Sequence, residues 1–282
     1  MRERGITGRS VSRFVRGGAL AVGKDEVVIE EPLEIRVNGD DLAITMRTPG
    51  EDAHLAVGFL FAEGIIASIK DVASVAPCGR PGSDGYGNVI DVRAAAGVRL
   101  PIDRLDVSRR WAVASSACGV CGRRAVDDLI ARVGRLGDGP PFSIALLAAG
   151  VDQLTSQQPR FLRTGGLHAA CALSASGKLL AAAEDVGRHN AVDKVVGNLL
   201  YNRALPTEPG AYADNVPTIL VVSGRASFEI VQKACAAKFI AVAAVSAPSS
   251  LAIDLAERAN LTLAGFVRDG AANIYAGKNR IV

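Results

Sequence analysis

Thr218-Ile-Leu-Val-Val222, Ile240-Ala-Val-Ala-Ala-Val245 and Leu261-Thr-Leu-Ala-Gly-Phe-Val267 are three short apolar runs, separated by helical patterns over 228–238 and 251–260. Strand, helix, strand, helix, strand in that order predicts parallel pairing with right-handed crossovers, because adjacent parallel strands must be joined by a long return connection. Upstream, 168–173 and 179–183 flank Ser176-Gly177 and read as paired strands. The stretch 190–201 carries apolar residues at Ala191, Val192, Val195, Val196, Leu199 and Leu200, a helical stripe.

The first part of the chain has a different grain. Ile35 and Val37 precede Asn38-Gly39, and Leu42, Ile44 and Met46 follow it, which predicts an antiparallel hairpin with one buried face. Thr48-Pro49-Gly50-Glu51 reads as a helix start with Thr48 as N-cap, and strands are expected at 72–76 and 88–93. The expected organisation is an α+β N-terminal portion over 1–108, a Cys-x-x-Cys loop and linker helix over 109–140, and an α/β domain over 141–282.

Composition bounds the function. The 282 residues are 49% hydrophobic and 22% charged, an ordinary globular balance with a large core available. Aromatics at 5% are too few for a single-strand nucleic-acid platform, and 32 basic against 29 acidic residues give a net charge of only +3. Neither nucleic acid nor membrane is an expected partner, since no apolar run approaches the roughly 18–20 residues that span a bilayer. Arg2, Arg4, Arg9, Arg13 and Arg16 begin the chain without the apolar stretch of a secretory signal. The cytoplasm is the expected location, with an organelle-targeting segment as the alternative. Five cysteines, an odd and scattered set, do not make a disulfide framework.

Three features could carry chemistry. Ser115-Ser116-Ala117-Cys118-Gly119-Val120-Cys121-Gly122-Arg123-Arg124 sets two thiols among small residues that cannot bury them. Between Ser108 and Arg124 stand Arg109, Arg110, Arg123 and Arg124 and no acid, so the local field favours the thiolate, which is the nucleophile. Half of a zinc site, a disulfide redox pair and a carrier whose cysteine accepts a transferable group all compete for this loop. Zinc is disfavoured because Cys78, Cys171 and Cys235 are isolated singletons, and no resident metal is expected; the residues alone weigh redox and carrier equally.

Glu184-Asp185-Val186-Gly187-Arg188-His189-Asn190-Ala191-Val192-Asp193-Lys194 packs charge ahead of the helical stripe, with His189 and Asp193 four apart and Asp185 able to cap the helix. A capped, solvated helix is the plain alternative to a ligand site, and His168 alone reads as a core histidine. Finally, Ser223-Gly224-Arg225, Ser246-Ala247-Pro248-Ser249 and Arg268-Asp269-Gly270 follow the three parallel strands and fall on one sheet edge, where helix N-termini and arginines suit a phosphate or nucleotide. Neither G-x-G-x-x-G nor a Walker lysine is present, which disfavours ordinary NAD or ATP binding.

These blocks, together with Arg47-Thr-Pro-Gly50, Gly58-Phe-Leu, Glu63-Gly-Ile-Ile66, Thr164-Gly-Gly-Leu-His-Ala169 and Gly265-Phe-Val-Arg268, occur in the order seen in the formate dehydrogenase accessory sulfurtransferases of the FdhD type, which the chain resembles over roughly 28–275. The resemblance implies a carrier taking sulfur from a cysteine desulfurase to the bis(molybdopterin guanine dinucleotide) molybdenum cofactor before its insertion into formate dehydrogenase. It implies Cys118 as persulfide carrier and Cys121 as its helper. It also maps the cofactor-binding Phe-x-Arg stretch onto Phe266, Val267, Arg268, Asp269, Gly270 and Ala271. Ser223, Gly224, Arg225 and Ser246 join that platform from the strand-edge argument, Arg188 and His189 of the charge-rich 184–194 stretch are further cofactor-binding candidates, and GDP is the expected mimic. A homodimer is left open. The family's C-terminal domain is similar to the cytidine deaminases, implying a three-layer α/β sheet, yet His168-Ala169-Ala170 lacks the deaminase Glu and no Pro-Cys-x-x-Cys follows, which argues against zinc-dependent deamination. A non-catalytic cofactor-binding chaperone is the alternative function.

Overall fold

The computed structural model describes residues 5–18, 20–79, 86–102, 134–206 and 212–282. Cys118, Cys121 and the arginines 109, 110, 123 and 124 lie outside the described residues.

Three sheets organise the described chain. Strands β1 (Ile6–Arg13) and β2 (Ala21–Val28) form an antiparallel ribbon. A four-stranded sheet has the order β4-β3-β6-β5, built from β3 (Glu31–Val37), β4 (Asp40–Arg47), β5 (Val72–Pro77) and β6 (Val89–Ala94). The Asn38-Gly39 hairpin is present, with Asn38 at φ 54° and Gly39 at φ 91°, the left-handed pair that a tight two-residue turn needs. A bulge between Ile35 and Arg36 changes the phase of β4, so that Thr45 and Arg47 are buried while Ile44 and Met46 are only half-buried. Strict alternation across the turn therefore misassigns the inner face of β4.

The six-stranded sheet runs β12-β11-β10-β9-β7-β8. Its strands are β7 (His168–Leu173), β8 (Leu179–Asp185), β9 (Ile219–Val222), β10 (Ala241–Ala244), β11 (Thr262–Arg268) and β12 (Ala271–Ala276). As the periodicity predicts, β9, β10 and β11 pair in parallel. The apolar runs of β9 and β10 are wholly buried, the signature of strands covered on both faces. Both margins are antiparallel: β7 pairs with β9 and β8 on one side, β12 with β11 on the other. In chain order the helices are α1 (Asp52–Ala62), α2 (Ile144–Ser156), α3 (Pro159–Thr164), α4 (Arg188–Tyr201), α5 (Phe228–Ala236) and α6 (Ser250–Ala259).

The tightest seam joins α1 to α4. A methyl group on Gly58 would come within 1.9 Å of the Asp193 carbonyl oxygen, and one on Gly197 within 1.9 Å of that of His54. Two glycines thus let the helix backbones touch, each receiving the other's carbonyl. Thr48 does not cap α1. The helix begins at Asp52 after Glu51, which sits at φ 58° without a side-chain cap bond, and Thr48 is instead buried against the six-stranded half.

Candidate functional site

Antiparallel insertion of β7 beside β9 brings the start of β7 to the same edge as the ends of β8, β9, β10 and β11. His168 lies opposite Asp185, the Ser223 N–H donates to the Ala169 carbonyl at 3.0 Å, and the Phe266 N–H donates to the Ser246 carbonyl at 3.3 Å. The loops after β9 and β10 are tied together through Ala226 and Pro248, which form a parallel bridge. Arg188 and His189 after β8, Ser223, Gly224 and Arg225 after β9, Ser246 after β10, and 266–271 at the β11–β12 turn therefore gather along one edge.

The centre of the edge is His189. Its Nε2 stands 3.0 Å from the Ser227 hydroxyl and 3.0 Å from Glu229 Oε2, both at the start of α5. Burial pushes the imidazole down to about 3, and Arg188, Lys233 and His168 push the same way. The Glu229 carboxylate and the Ser227 hydroxyl face the same ring nitrogen. Because Ser227 serves the histidine, it makes no cap bond to α5, whereas the Ser249 hydroxyl accepts from the Ala252 N–H at 3.3 Å and does cap α6.

Beside Glu229, two arginines bring positive charge toward this histidine. Half-buried Arg188 and exposed Arg225 repel each other enough to lower Arg188, although burial is the larger cause, and the Nε of Arg188 is buried with no hydrogen-bond partner. His168 is lowered by burial first, then by Arg188 and Arg225. It is half-buried at the sheet edge, and a methyl group on Gly224 would come within 3.3 Å of its Nδ1, so a larger residue there would press on the ring. Ser223 Oγ accepts from the Ala169 N–H at 2.9 Å and is spent holding the edge together.

At the far end, Phe266 has φ 53° and Asp269 φ 49°, left-handed conformations that favour glycine, within an irregular β11–β12 register between Gly265 and Arg268. Phe266 is 39% exposed, so its ring is not a core group; Val267 between it and exposed Arg268 is fully buried. Backbone strain of this kind is retained where the surroundings over-determine it, frequently at ligand sites.

His189 and Asp193, four apart, are not partners: His189 turns to α5's first residues and Asp193 pairs with Lys233 at 2.7 Å, where burial lifts the Asp193 carboxyl to about 6. Asp185 does not cap α4, whose N-cap is Gly187 and has no side-chain cap bond. Asp185 accepts from the Gly187 N–H at 2.8 Å and pairs with Lys194 at 2.7 Å, both side chains fully buried. Glu184 accepts from the N–H groups of Arg160 and Phe161 at the start of α3 instead. The residues that sequence reading passed over are Thr48, Asn190, Lys194 and Glu229 as partners. Arg47-Thr-Pro-Gly50 and the charge-rich 184–194 stretch contain the first three, but nothing in one dimension shows that they meet. The Leu136 N–H donates to the Ala259 carbonyl at 2.8 Å, at the opposite end of β11 from Arg268. Among the described residues no three His, Cys, Asp or Glu side chains gather as a metal site, and no helix is long and apolar enough to cross a membrane.

The described chain is of the mixed α/β class, with Arg188, His189, Arg225 and Arg268 along the edge at the carboxyl ends of its parallel strands. Within that class the chain belongs to the FdhD/NarQ family, whose model matches residues 28–282. It is 56% identical over 276 residues to a protein of Anaeromyxobacter dehalogenans named "Sulfur carrier protein FdhD", covering 98% of this chain and 93% of the relative. A Streptomyces coelicolor protein of the same name is 47% identical over 282 residues, covering 98% and 96%. The fold is similar to a crystal structure from Desulfotalea psychrophila described as a candidate formate dehydrogenase accessory protein, with TM-score 0.73 and 23% identity over 99% of this chain and 100% of that one.

Proposed function

We propose that the protein is a sulfur carrier for formate dehydrogenase. Sulfur passes from a cysteine desulfurase to Cys118 as a persulfide, and from there to its substrate, the bis(molybdopterin guanine dinucleotide) molybdenum cofactor, before that cofactor enters the dehydrogenase in the cytoplasm. The observation that carries the reading is that one chain of this family pairs an acid-free, arginine-flanked Cys118-x-x-Cys121 with a strand edge bearing Arg188, Arg225 and Arg268. The names of the relatives support the same direction.

In the loading step the Cys118 thiolate attacks the terminal sulfur of the desulfurase persulfide. The donor S–S bond breaks, the donor cysteine leaves as thiolate, and Cys118 holds S–SH with no net oxidation. In release, the Cys121 thiolate attacks the Cys118 sulfur, hydrosulfide departs toward the cofactor, and a Cys118–Cys121 disulfide remains for a thiol reductant to reopen. The cofactor's two pyrophosphates call for arginines and helix N-termini, and the strand edge supplies both.

Incubation with a cysteine desulfurase and cysteine, followed by peptide mass spectrometry, is expected to find the added sulfur on Cys118, and Cys118→Ala is expected to fold normally and fail to mature the client. A client fully active with that variant sinks the reading. Client maturation that needs the protein but no thiol makes it a binding chaperone. For the platform, GDP is expected to bind more tightly than ATP, and Arg268→Ala to weaken GDP by about 1.5–3 kcal/mol, the scale of a charge-assisted hydrogen bond, measured by calorimetry.

A further inference from the structure

We propose that the buried Asp185–Lys194 pair is a positioning device: it fastens the 185–190 turn to the end of β4 and thereby sets where Arg188 and His189 stand at the strand edge. The significance for binding rests on the nucleotide reading above; the positioning itself does not.

Lys194 Nζ donates to Asp185 Oδ2 at 2.7 Å, to the Thr48 carbonyl at 3.0 Å and to the Glu184 carbonyl at 3.3 Å, which uses all three of its protons. Asp185 Oδ1 accepts from the Gly187 N–H at 2.8 Å and from Asn190 Nδ2 at 3.0 Å, while Oδ2 also accepts from the Thr48 N–H at 3.2 Å. Asn190 completes the seam, donating to the Met46 carbonyl at 2.7 Å and accepting from the Thr45 hydroxyl at 3.1 Å. The Val186 N–H donates to Thr48 Oγ1 at 3.3 Å. Of the six residues 185–190, four are therefore bonded within this network, and the two that are not, Arg188 and His189, are the two that reach the edge.

A buried ion pair is a poor way to gain stability, because desolvating both charges offsets most of their attraction and an apolar pair of equal volume does as well or better. Packing between the two halves is already supplied by the Gly58 and Gly197 contacts. What apolar packing lacks is direction, whereas seven or more directed bonds admit one register of the turn. The adjoining backbone is equally constrained: a methyl group on Gly187 would come within 2.9 Å of Asn190 Nδ2. Behind a histidine that must meet both Ser227 and Glu229 at 3.0 Å, that precision has a use.

The test uses the full chain with three variants: Lys194→Met, the neutral double variant Asp185→Asn with Lys194→Met, and Thr48→Val, which keeps the ion pair and removes one acceptor. Lys194→Met strands a carboxylate in the core and is expected to be the least stable; the double variant does not, and is expected to unfold near the wild-type temperature. The readout that a merely structural role would not move is the pH titration of His189 followed by nitrogen-15 NMR. The groups facing that ring are Arg188 on its own helix, Glu229 and Lys233 on α5, and His168 on β7. In the double variant the midpoint is expected to rise toward the ordinary histidine range as the ring leaves its buried seat, and GDP to bind about tenfold more weakly, the equivalent of ~1.4 kcal/mol. Thr48→Val is expected to shift both in the same direction by less. A folded double variant, or failing that a folded Thr48→Val, with wild-type His189 titration overturns the proposal. A wild-type chain that binds no GDP removes the nucleotide reading and leaves the positioning claim to the histidine titration.

Discussion

Single residues at the edge carry tests that separate backbone from side chain. Phe266 holds φ 53°, a region that costs an L-residue roughly 1 kcal/mol and glycine nothing. Phe266→Gly is expected to be about 1 kcal/mol more stable than Phe266→Ala in urea unfolding, while both lose whatever the exposed ring contributes to GDP binding; equal stabilities would remove the strain. His189 gives a pH dependence. Its folded value near 3 lies below the unfolded value near 6.5, so the unfolded chain binds the extra proton between the two. The stabilisation is complete above about pH 6.5 and is lost as the pH falls toward 3. The ceiling is about 4–5 kcal/mol for a shift of this size, and Glu229 keeps the realised value under it. His189→Gln is expected to flatten the stability profile over that window, and an unchanged profile would mean that the ring is solvated. The sequence flagged His189, Arg188 and Phe266, but not their environments: burial of the imidazole depends on α5, whose residues lie about forty positions away in the chain.

Helices and strands show how local pattern and packing divide the work. The glycines of α1 and α4 are poor helix formers, and Gly→Ala in an exposed helix interior would gain about 1 kcal/mol. Here the added methyl meets a carbonyl oxygen at 1.9 Å, and prying apart two backbones outweighs that gain. Gly58→Ala and Gly197→Ala are each expected to lower stability by about 2 kcal/mol or more, with Gly8→Ala on β1, where nothing lies within 4 Å, as the control near zero. Denaturant midpoints decide it; a neutral Gly197→Ala would mean that the seam is loose. Periodicity found α4, α5 and α6 and the three parallel strands because each buries a face whose spacing is local. It misread the inner face of β4 because one bulged residue shifts the phase without changing composition. Thr48 failed as a predicted cap for a related reason: Thr-Pro-Gly-Glu is a valid helix start, but bonds to Asp185 and Lys194 across the seam compete for the same groups.

For the molecule as a whole, the ribbon stands apart from the family core. The family match begins at residue 28, the last residue of β2, and most ribbon side chains are exposed, Phe14 and Val22 among them. The bond from the Ile29 N–H to the Gly5 carbonyl at 2.8 Å only extends the pairing of β1 with β2, and the Glu26–Arg163 ion pair that ties β2 to α3 is exposed to solvent. Deleting residues 1–27 is expected to lower the melting temperature by no more than about 5 °C. A larger fall would mean that the ribbon is part of the cooperative core.

The sequence by itself determined the parallel βαβαβ unit, the Asn38-Gly39 hairpin, and the gathering of 223–225, 246–249 and 268–270 on one edge, because these follow from side-chain period and crossover geometry, which are properties of neighbours along the chain. Only the tertiary structure decided that β7 inserts antiparallel beside β9, bringing His168 to that edge, and that Thr45–Thr48 of one sheet lock the 185–190 turn of the other. The β7–β9 pairing joins residues about fifty positions apart and the lock on the 185–190 turn residues about 140 apart, and the hydrogen-bonding partner of a buried Asp or Lys is set by whichever complementary group the fold brings into reach.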